Sequence, residues 1–317
     1  MYRNIPTVLT AEEIIDKMFR RSKKVKVPLS KNRLRFHKNL SIAKIYTARD
    51  VAVSTLKKYV DSFPYINKLH PFYRTLLDLL VDKDEYKKAL ASLVWAMEKI
   101  SGFADKYARK IKGVGKVEEA IKFRKEFYGR TSSILKQIAP KLRYLGQVRD
   151  IIRKLPDINP ELSTVVIAGY PNVGKSELVA KMSTAKPEIA SYPFTTKGIV
   201  VGHMEIKGRR VQIVDTPGLL DRPLEKRNRI EKEAILALKY LADVIVFLLD
   251  PSETCGYSMD EQLKLLKEIK KDFGIPILEV ENKVDLLRTD SPRMKISAKT
   301  GEGLDKLVEN IVARLGL

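Results

Sequence analysis

One cysteine, three histidines and no long apolar run set the first limits on this chain of 317 residues. A lone thiol, Cys255, excludes an internal disulfide and a cysteine-rich metal site, so the composition points to no oxidising compartment. His37, His70 and His203 lie far apart with no second ligand at metal spacing, which leaves them as surface or structural residues. No stretch approaches the roughly 18 to 20 apolar residues a membrane span requires, and the N-terminal stretch already carries Arg3, Glu12, Glu13 and Asp16. Neither a secretory signal nor a membrane helix is expected, and a cytoplasmic setting is. Low-complexity tracts are also missing; with 44% hydrophobic and 31% charged residues, disorder and collagen-like folds are excluded. The length suits about two domains at roughly 150 residues each.

Acidic residues are scarce in one half. Residues 1–160 hold 36 basic and 16 acidic side chains, against 24 and 23 in residues 161–317. Halves so differently charged are expected to meet different partners, the first of them a polyanion. Between Asp16 and Asp50 there is no acidic residue, yet there are twelve basic ones. Arg20, Arg21, Lys23, Lys24, Lys26, Lys31, Arg33, Arg35 and Lys38 are the candidate RNA-binding residues among them. A polar helix face normally mixes signs for internal pairing, so this run needs counter-charges from elsewhere, and RNA phosphates supply them. A solvated charged face is the alternative, disfavoured by the charge imbalance. A membrane-surface helix is disfavoured because Val25 to Leu29 offers little apolar area. Phe36 and His37 could stack on unpaired bases, although a core role suits Phe36 better, and Trp95, beside the apolar stripe of its helix, is expected in the core.

The first half carries the helical period. Tyr86, Leu90, Leu93, Met97, Ile100, Ala104, Tyr107 and Ile111 recur at spacings of four and three, which predicts one long helix across Asp84 to Lys112. Ser30 to about Asp61 and Val117 to Ile138 repeat the rhythm less cleanly. Thr10 and Glu13 form a capping-box pattern that opens a first short helix, expected to end before Arg20. Gly113-Val114-Gly115-Lys116 follows no strand and reads as a turn between helices. Pro156-Asp157-Ile158-Asn159-Pro160 interrupts helix and marks the domain joint, with a helical bundle over 1–160 and a second domain over 161–317. There, short apolar runs at Val165 to Ala168, Val211 to Val214, Val244 to Leu249 and Ile275 to Val280 alternate with amphipathic stretches. The predicted fold is a mainly parallel sheet with helices on both faces.

Gly169-Tyr170-Pro171-Asn172-Val173-Gly174-Lys175-Ser176 fits the pattern G-x-x-x-x-G-K-[ST] between a predicted strand and helix. Its backbone N–H groups and helix N-terminus suit phosphate, Lys175 adds a full charge, and the Ser176 hydroxyl suits magnesium. Asp215-Thr216-Pro217-Gly218 follows the next strand, where a carboxylate can hold magnesium through its water and the Gly218 N–H can meet a terminal phosphate. Asn282-Lys283-Val284-Asp285 follows a further strand. Asp285 can accept from both N1 and the exocyclic amino group of guanine, which adenine cannot offer. Ser297-Ala298-Lys299 would complete a base pocket through the Ala298 N–H. Four such motifs in this order, each at a strand's carboxyl end, point to GTP or GDP.

With these motifs the chain resembles the Obg-type branch of the translation-factor-like P-loop GTPases, which shares the wording of Gly169 to Ser176 and of Ser191-Tyr-Pro-Phe-Thr-Thr196-Lys-Gly. Tyr2-Arg-Asn-Ile-Pro-Thr-Val, the basic stretch after it and Ser92-Leu-Val-Trp95 are similar to the nucleolar GTP-binding protein (NOG) family. The resemblance implies a helical domain lodged on ribosomal RNA and a role in assembling the large ribosomal subunit; separately, the free protein is expected to be a monomer. Nucleolar members carry a long C-terminal extension, and the end of this sequence at Leu317 suggests an archaeal-type member. The likeness also assigns Thr196 to magnesium and the terminal phosphate. Leu219 stands where Ras-like proteins use a glutamine to orient water, so another group must supply that function. Members with asparagine at the Asn172 position often use a potassium ion there; an ordinary turn residue is an equally good reading of Asn172. The resemblance therefore implies catalytic roles for Lys175, Thr196, Gly218 and Asn172. Two rival functions stay open: a non-hydrolysing RNA-binding scaffold, and a stress-linked GTPase acting on tRNA or mature ribosomes.

Overall fold

The computed structural model describes residues 4–193, 198–222 and 227–317. They divide into two compact units: the chain up to Tyr65 with Val81–Arg153, and Ile66–Leu80 with Lys154–Leu317.

The first unit is helical: α1 (Ala11–Lys23), α2 (Arg33–Ser62), α4 (Lys83–Gly113), α5 (Val117–Gln137) and α6 (Ala139–Lys154). Thr10 caps α1 through the expected box, its hydroxyl accepting from the Glu13 N–H at 3.2 Å while Glu13 accepts from the Thr10 N–H at 2.7 Å. The helix does not stop before Arg20. It runs to Lys23, and Arg20, Arg21 and Lys23 fall in its last turn, where the helix dipole favours cations. α1, α2, α4 and α5 pack on one another. Their core includes Met18, Ile45, Leu56, Leu93, Ile100, Ile111, Phe127 and Leu135, all nearly or fully removed from solvent. The predicted stripe of α4 is buried except for half-buried Leu90 and Met97. Trp95 corrects the expectation of a core residue: it is 37% exposed, because Leu93 and Ala96 take the inward positions on either side of it. Phe36 is half-buried, edge-on to His37.

The second unit carries a seven-stranded sheet: β1 (Thr164–Ala168), β2 (Glu188–Ala190), β3 (Ile199–Ile206), β4 (Arg209–Asp215), β5 (Val244–Leu249), β6 (Ile277–Glu281) and β7 (Met294–Lys295). The spatial order is β2-β3-β4-β1-β5-β6-β7. From β4 to β7 the pairing is parallel, while β2 and β3 run antiparallel at one edge. All residues of β1 and β5 are buried, as strands covered on both faces require. α7 (Lys175–Met182), α8 (Arg229–Ala237), α9 (Met259–Phe273) and α10 (Leu304–Leu315) complete the alternation. Because β4, β1, β5 and β6 are parallel, the residues that follow them emerge at one sheet edge.

α3 (Pro71–Leu80) also belongs to this unit, although the sequence places it with the helical half. Its apolar residues Phe72, Tyr73, Leu76 and Leu77 are buried, and it packs on α8. The Tyr73 hydroxyl accepts from the Ile158 N–H at 3.0 Å and lies within donating distance of the Pro156 and Ile158 carbonyls, at 2.9 and 2.6 Å. The proline-rich joint is thereby fastened to α3. Replacing Leu76 by alanine is expected to lower unfolding stability by about 2–5 kcal/mol, measured by denaturant titration.

Candidate functional site

The loop after β1 turns sharply enough to aim its backbone at the sheet edge. Asn172 takes a left-handed φ of 60° and Gly174, at the N-cap of α7, a φ of 96°. A Cβ on Gly174 would lie 2.3 Å from Asn282 Nδ2, so this position excludes side chains for space as well as for φ. The Lys175 ammonium is buried and donates to the carbonyls of Gly169 and Tyr170 at 2.8 and 2.7 Å, which holds the loop around it.

A cavity of about 520 Å³ is lined by Pro171, Asn172, Gly174, Lys175, Ser176, Asp215, Gly218 and Asp221, among others. Inside it the Ser176 hydroxyl donates to Asp215 Oδ2 at 2.6 Å. Asp215 is fully buried, and its Oδ1 has no hydrogen-bond partner among the described residues. Burial pushes the Asp215 carboxyl above the usual range, and the Ser176 hydrogen bond and the Lys175 charge offset this only in part. An unsatisfied buried carboxylate oxygen beside a hydroxyl is an oxygen donor set that suits a hard divalent cation such as magnesium. Thr196, the third predicted ligand, lies outside the described residues, as does its neighbour Thr195. The Gly218 N–H is engaged by the chain itself: it donates to Asp221 Oδ2 at 2.7 Å. Leu219, which replaces a water-orienting glutamine, is 2% exposed.

The base side of the site is built on a buried amide. Asn282 Nδ2 donates to the Val173 carbonyl at 2.8 Å and its Oδ1 accepts from the Ala298 N–H at 2.8 Å. The Ala298 N–H, expected to face a base, is here engaged by Asn282. Asp285 Oδ1 accepts from the Ser297 hydroxyl at 2.6 Å, which orients the carboxylate, and Lys299 is exposed. Lys283, in the left-handed region at φ 65°, pairs with Asp250 at 2.6 Å. The rings of Tyr170 and Tyr257 lie 4.3 Å apart.

Sequence reasoning missed Asp250, Asp221 and Arg227. Asp250 is fully buried at the end of β5 and accepts from the Ser252 and Cys255 N–H groups and from the Ser252 and Thr254 hydroxyls. Burial works to raise its carboxyl, but the hydrogen bonds from Lys283, Ser252 and Thr254 outweigh it and hold the group below the usual range. An acid at the end of an apolar strand, followed by Ser252 and Thr254, was the available signal. Asp221 and Arg227 follow no motif spacing.

In the helical unit, Arg20, Arg21, Lys23, Lys24, Lys26, Lys31, Arg33 and Arg35 are exposed, while half-buried Lys38 donates to the Lys112 carbonyl at 2.9 Å. Lys17, Arg20, Arg21, Lys23 and Lys24 line a cavity of about 600 Å³. No group of histidine, cysteine and carboxylate side chains able to hold a metal occurs among the described residues, and no described helix is long and apolar enough to cross a membrane.

A phosphate-type loop, a buried strand-end aspartate and an Asn-Lys-x-Asp turn on one edge of a mostly parallel sheet define a P-loop domain of the GTP-binding class. Residues 2–159 match the NOG1 N-terminal helical domain and residues 229–285 match nucleolar GTP-binding protein 1 (NOG1). The chain belongs to the nucleolar GTP-binding protein 1 family. It is 44% identical over 297 residues to an uncharacterized protein of Methanocaldococcus jannaschii, a match covering 93% of this chain and 83% of that one. It is 38% identical over 295 residues to nucleolar GTP-binding protein 1 of Drosophila melanogaster, covering 90% of this chain and 44% of that protein. The chain therefore spans less than half the length of this named relative. Among solved structures, the G domain of the T. maritima FeoB iron transporter is similar at 27% identity and a TM-score of 0.42, covering 49% of this chain and 99% of that one.

Asp285→Asn should shift preference from guanine toward xanthine nucleotide, because the amide offers a donor where guanine needs an acceptor. Competition binding of GDP against XDP measures it, with about 100-fold or more loss for GDP expected when a hydrogen-bonded recognition pair is mismatched.

Proposed function

We propose that this chain hydrolyses GTP to GDP and phosphate and uses that reaction in assembling the large ribosomal subunit, its helical unit held on ribosomal RNA. The observation that supports hydrolysis is the shared cavity of Lys175, Ser176, Asp215 and Gly218. Phosphoryl transfer needs positioned charge and a placed water more than covalent chemistry. Backbone N–H groups at the start of α7 and the Lys175 ammonium would bind the phosphates. Ser176, Asp215 and Thr196 would hold magnesium, which would neutralise charge developing on the transferred group. Asp285, oriented by Ser297, would read the base.

No glutamine follows Gly218, and the aliphatic Leu219 cannot orient water. The intrinsic rate is therefore slow until a partner or a potassium ion at exposed Asn172 supplies the missing charge. The left-handed φ of Asn172 fits its alternative role as a turn residue, so the ion needs its own test. Single-turnover hydrolysis in potassium against sodium buffer provides it: a rate at least about tenfold higher in potassium is expected if the ion serves as an electrophile, and equal rates dispose of it. No turnover with or without ribosomal precursor would leave a scaffold.

Support for the RNA role comes from Arg20, Arg21, Lys23 and Lys24, which pair with no carboxylate among the described residues and gather at one cavity. RNA phosphates would supply their counter-charges in a cytoplasmic protein that is monomeric when free. Affinity for ribosomal RNA should then fall with salt at a log-log slope of about 0.7 to 0.9 per phosphate contacted. Filter binding across a salt series measures this, and a flat profile excludes the role. Crosslinking and sequencing of the bound RNA separates ribosomal precursor from tRNA.

A further inference from the structure

The carboxylate of Asp221 sits where the proposed site needs a terminal phosphate. Its Oδ2 takes the Gly218 N–H at 2.7 Å, and its Oδ1 lies 3.3 Å from an Arg227 guanidinium nitrogen. Arg227 is itself anchored, donating to the Gly218 carbonyl at 2.8 Å and the Leu219 carbonyl at 2.7 Å. The Arg227 side chain is 1% exposed and that of Asp221 is 14% exposed, so both ends of this clasp are largely shielded from water. Asp221 lines the same cavity as Lys175, Ser176 and Asp215.

A single N–H directed at one acceptor cannot be shared on equal terms with a second anionic oxygen. Two such oxygens, each near 2.8 Å from the nitrogen, would lie within a few ångströms of one another and repel. GDP has no terminal phosphate and leaves the Asp221 bond intact, whereas GTP must displace it. The cost falls on the triphosphate alone. Differential affinity of this kind is what separates two ligands that share every other contact.

We propose that Asp221 determines the balance between GDP and GTP, occupying the Gly218 amide as an internal rival of the terminal phosphate, with Arg227 holding it in place. This rests on the nucleotide reading of the cavity given above. Displacement of Asp221 also loosens its tie to Arg227, which immediately precedes the cap of α8 at Asn228.

Calorimetric titration of the full chain with GDP and with the non-hydrolysable analogue GDPNP, both with magnesium, measures the affinity ratio. Asp221→Asn keeps the side-chain volume and removes the charge. It should tighten GDPNP binding about tenfold and leave GDP within about twofold. The double variant Asp221→Asn with Arg227→Met removes both charges, so that no buried cation is left unpaired should the single variant unfold, and it should shift the ratio the same way. An unchanged ratio, or one moved by loss of GDP binding, overturns the role of Asp221 while the nucleotide site stands. Failure of the unsubstituted chain to bind either nucleotide overturns both.

Discussion

The buried side-chain amide of Asn282 fixes the distance between the two ends of the site. One of its atoms holds the phosphate loop at Val173 and the other holds the Ala298 loop, so three segments distant in sequence share one rigid group. Loss of that amide would leave a carbonyl and an N–H buried without partners, a cost of about 1–3 kcal/mol for each. Asp250 performs the same service on the neighbouring strand: five hydrogen bonds converge on it, one of them from Lys283, which takes a left-handed φ of 65°. The spacing between base and phosphates is set by side chains that need touch neither.

The two units treat anions by different physics. In the sheet unit a near balance of charges means that attraction must come from aligned backbone N–H groups, a helix N-terminus and one buried lysine. That arrangement is short-ranged and shape-selective. In the helical unit the basic side chains from Arg20 to Arg35 are exposed, so their field extends about a Debye length into solvent and would act on an extended polyanion with little regard for shape. On the proposed function, selectivity and long-range capture are divided between units along one chain.

Features set by near neighbours were legible in the sequence. The Thr10–Glu13 cap, the glycine-bearing loop from Gly169 to Ser176 and the Asn282–Asp285 turn are local, and their chemistry is written in spacings of a few residues. Where partners are far apart the signal fades. Asp250 finds Lys283 across 33 residues, and nothing in either segment announces the other. Phe72, Leu76 and Leu77 give α3 one apolar face, but an apolar face does not say which surface covers it, and a boundary at the Pro156–Pro160 stretch leaves residues 71–80 with the half in which they lie by sequence. Trp95 was misplaced for a related reason: hydrophobicity argued for burial, while packing gave the inward positions to Leu93 and Ala96. β3 follows Thr196 with alternating rather than continuous burial, and its antiparallel pairing is a tertiary choice.

The membership of α3 in the sheet unit has a consequence during synthesis. The helix is made early, yet the surface that buries Phe72 and Leu76 includes Arg229–Ala237, which the ribosome adds roughly 150 residues later. At translation speeds of about 5–20 residues per second, that apolar face waits on the order of ten seconds or more for its cover. The flanking helices can meanwhile settle on one another. The second unit therefore closes last, around a piece of itself that emerged first.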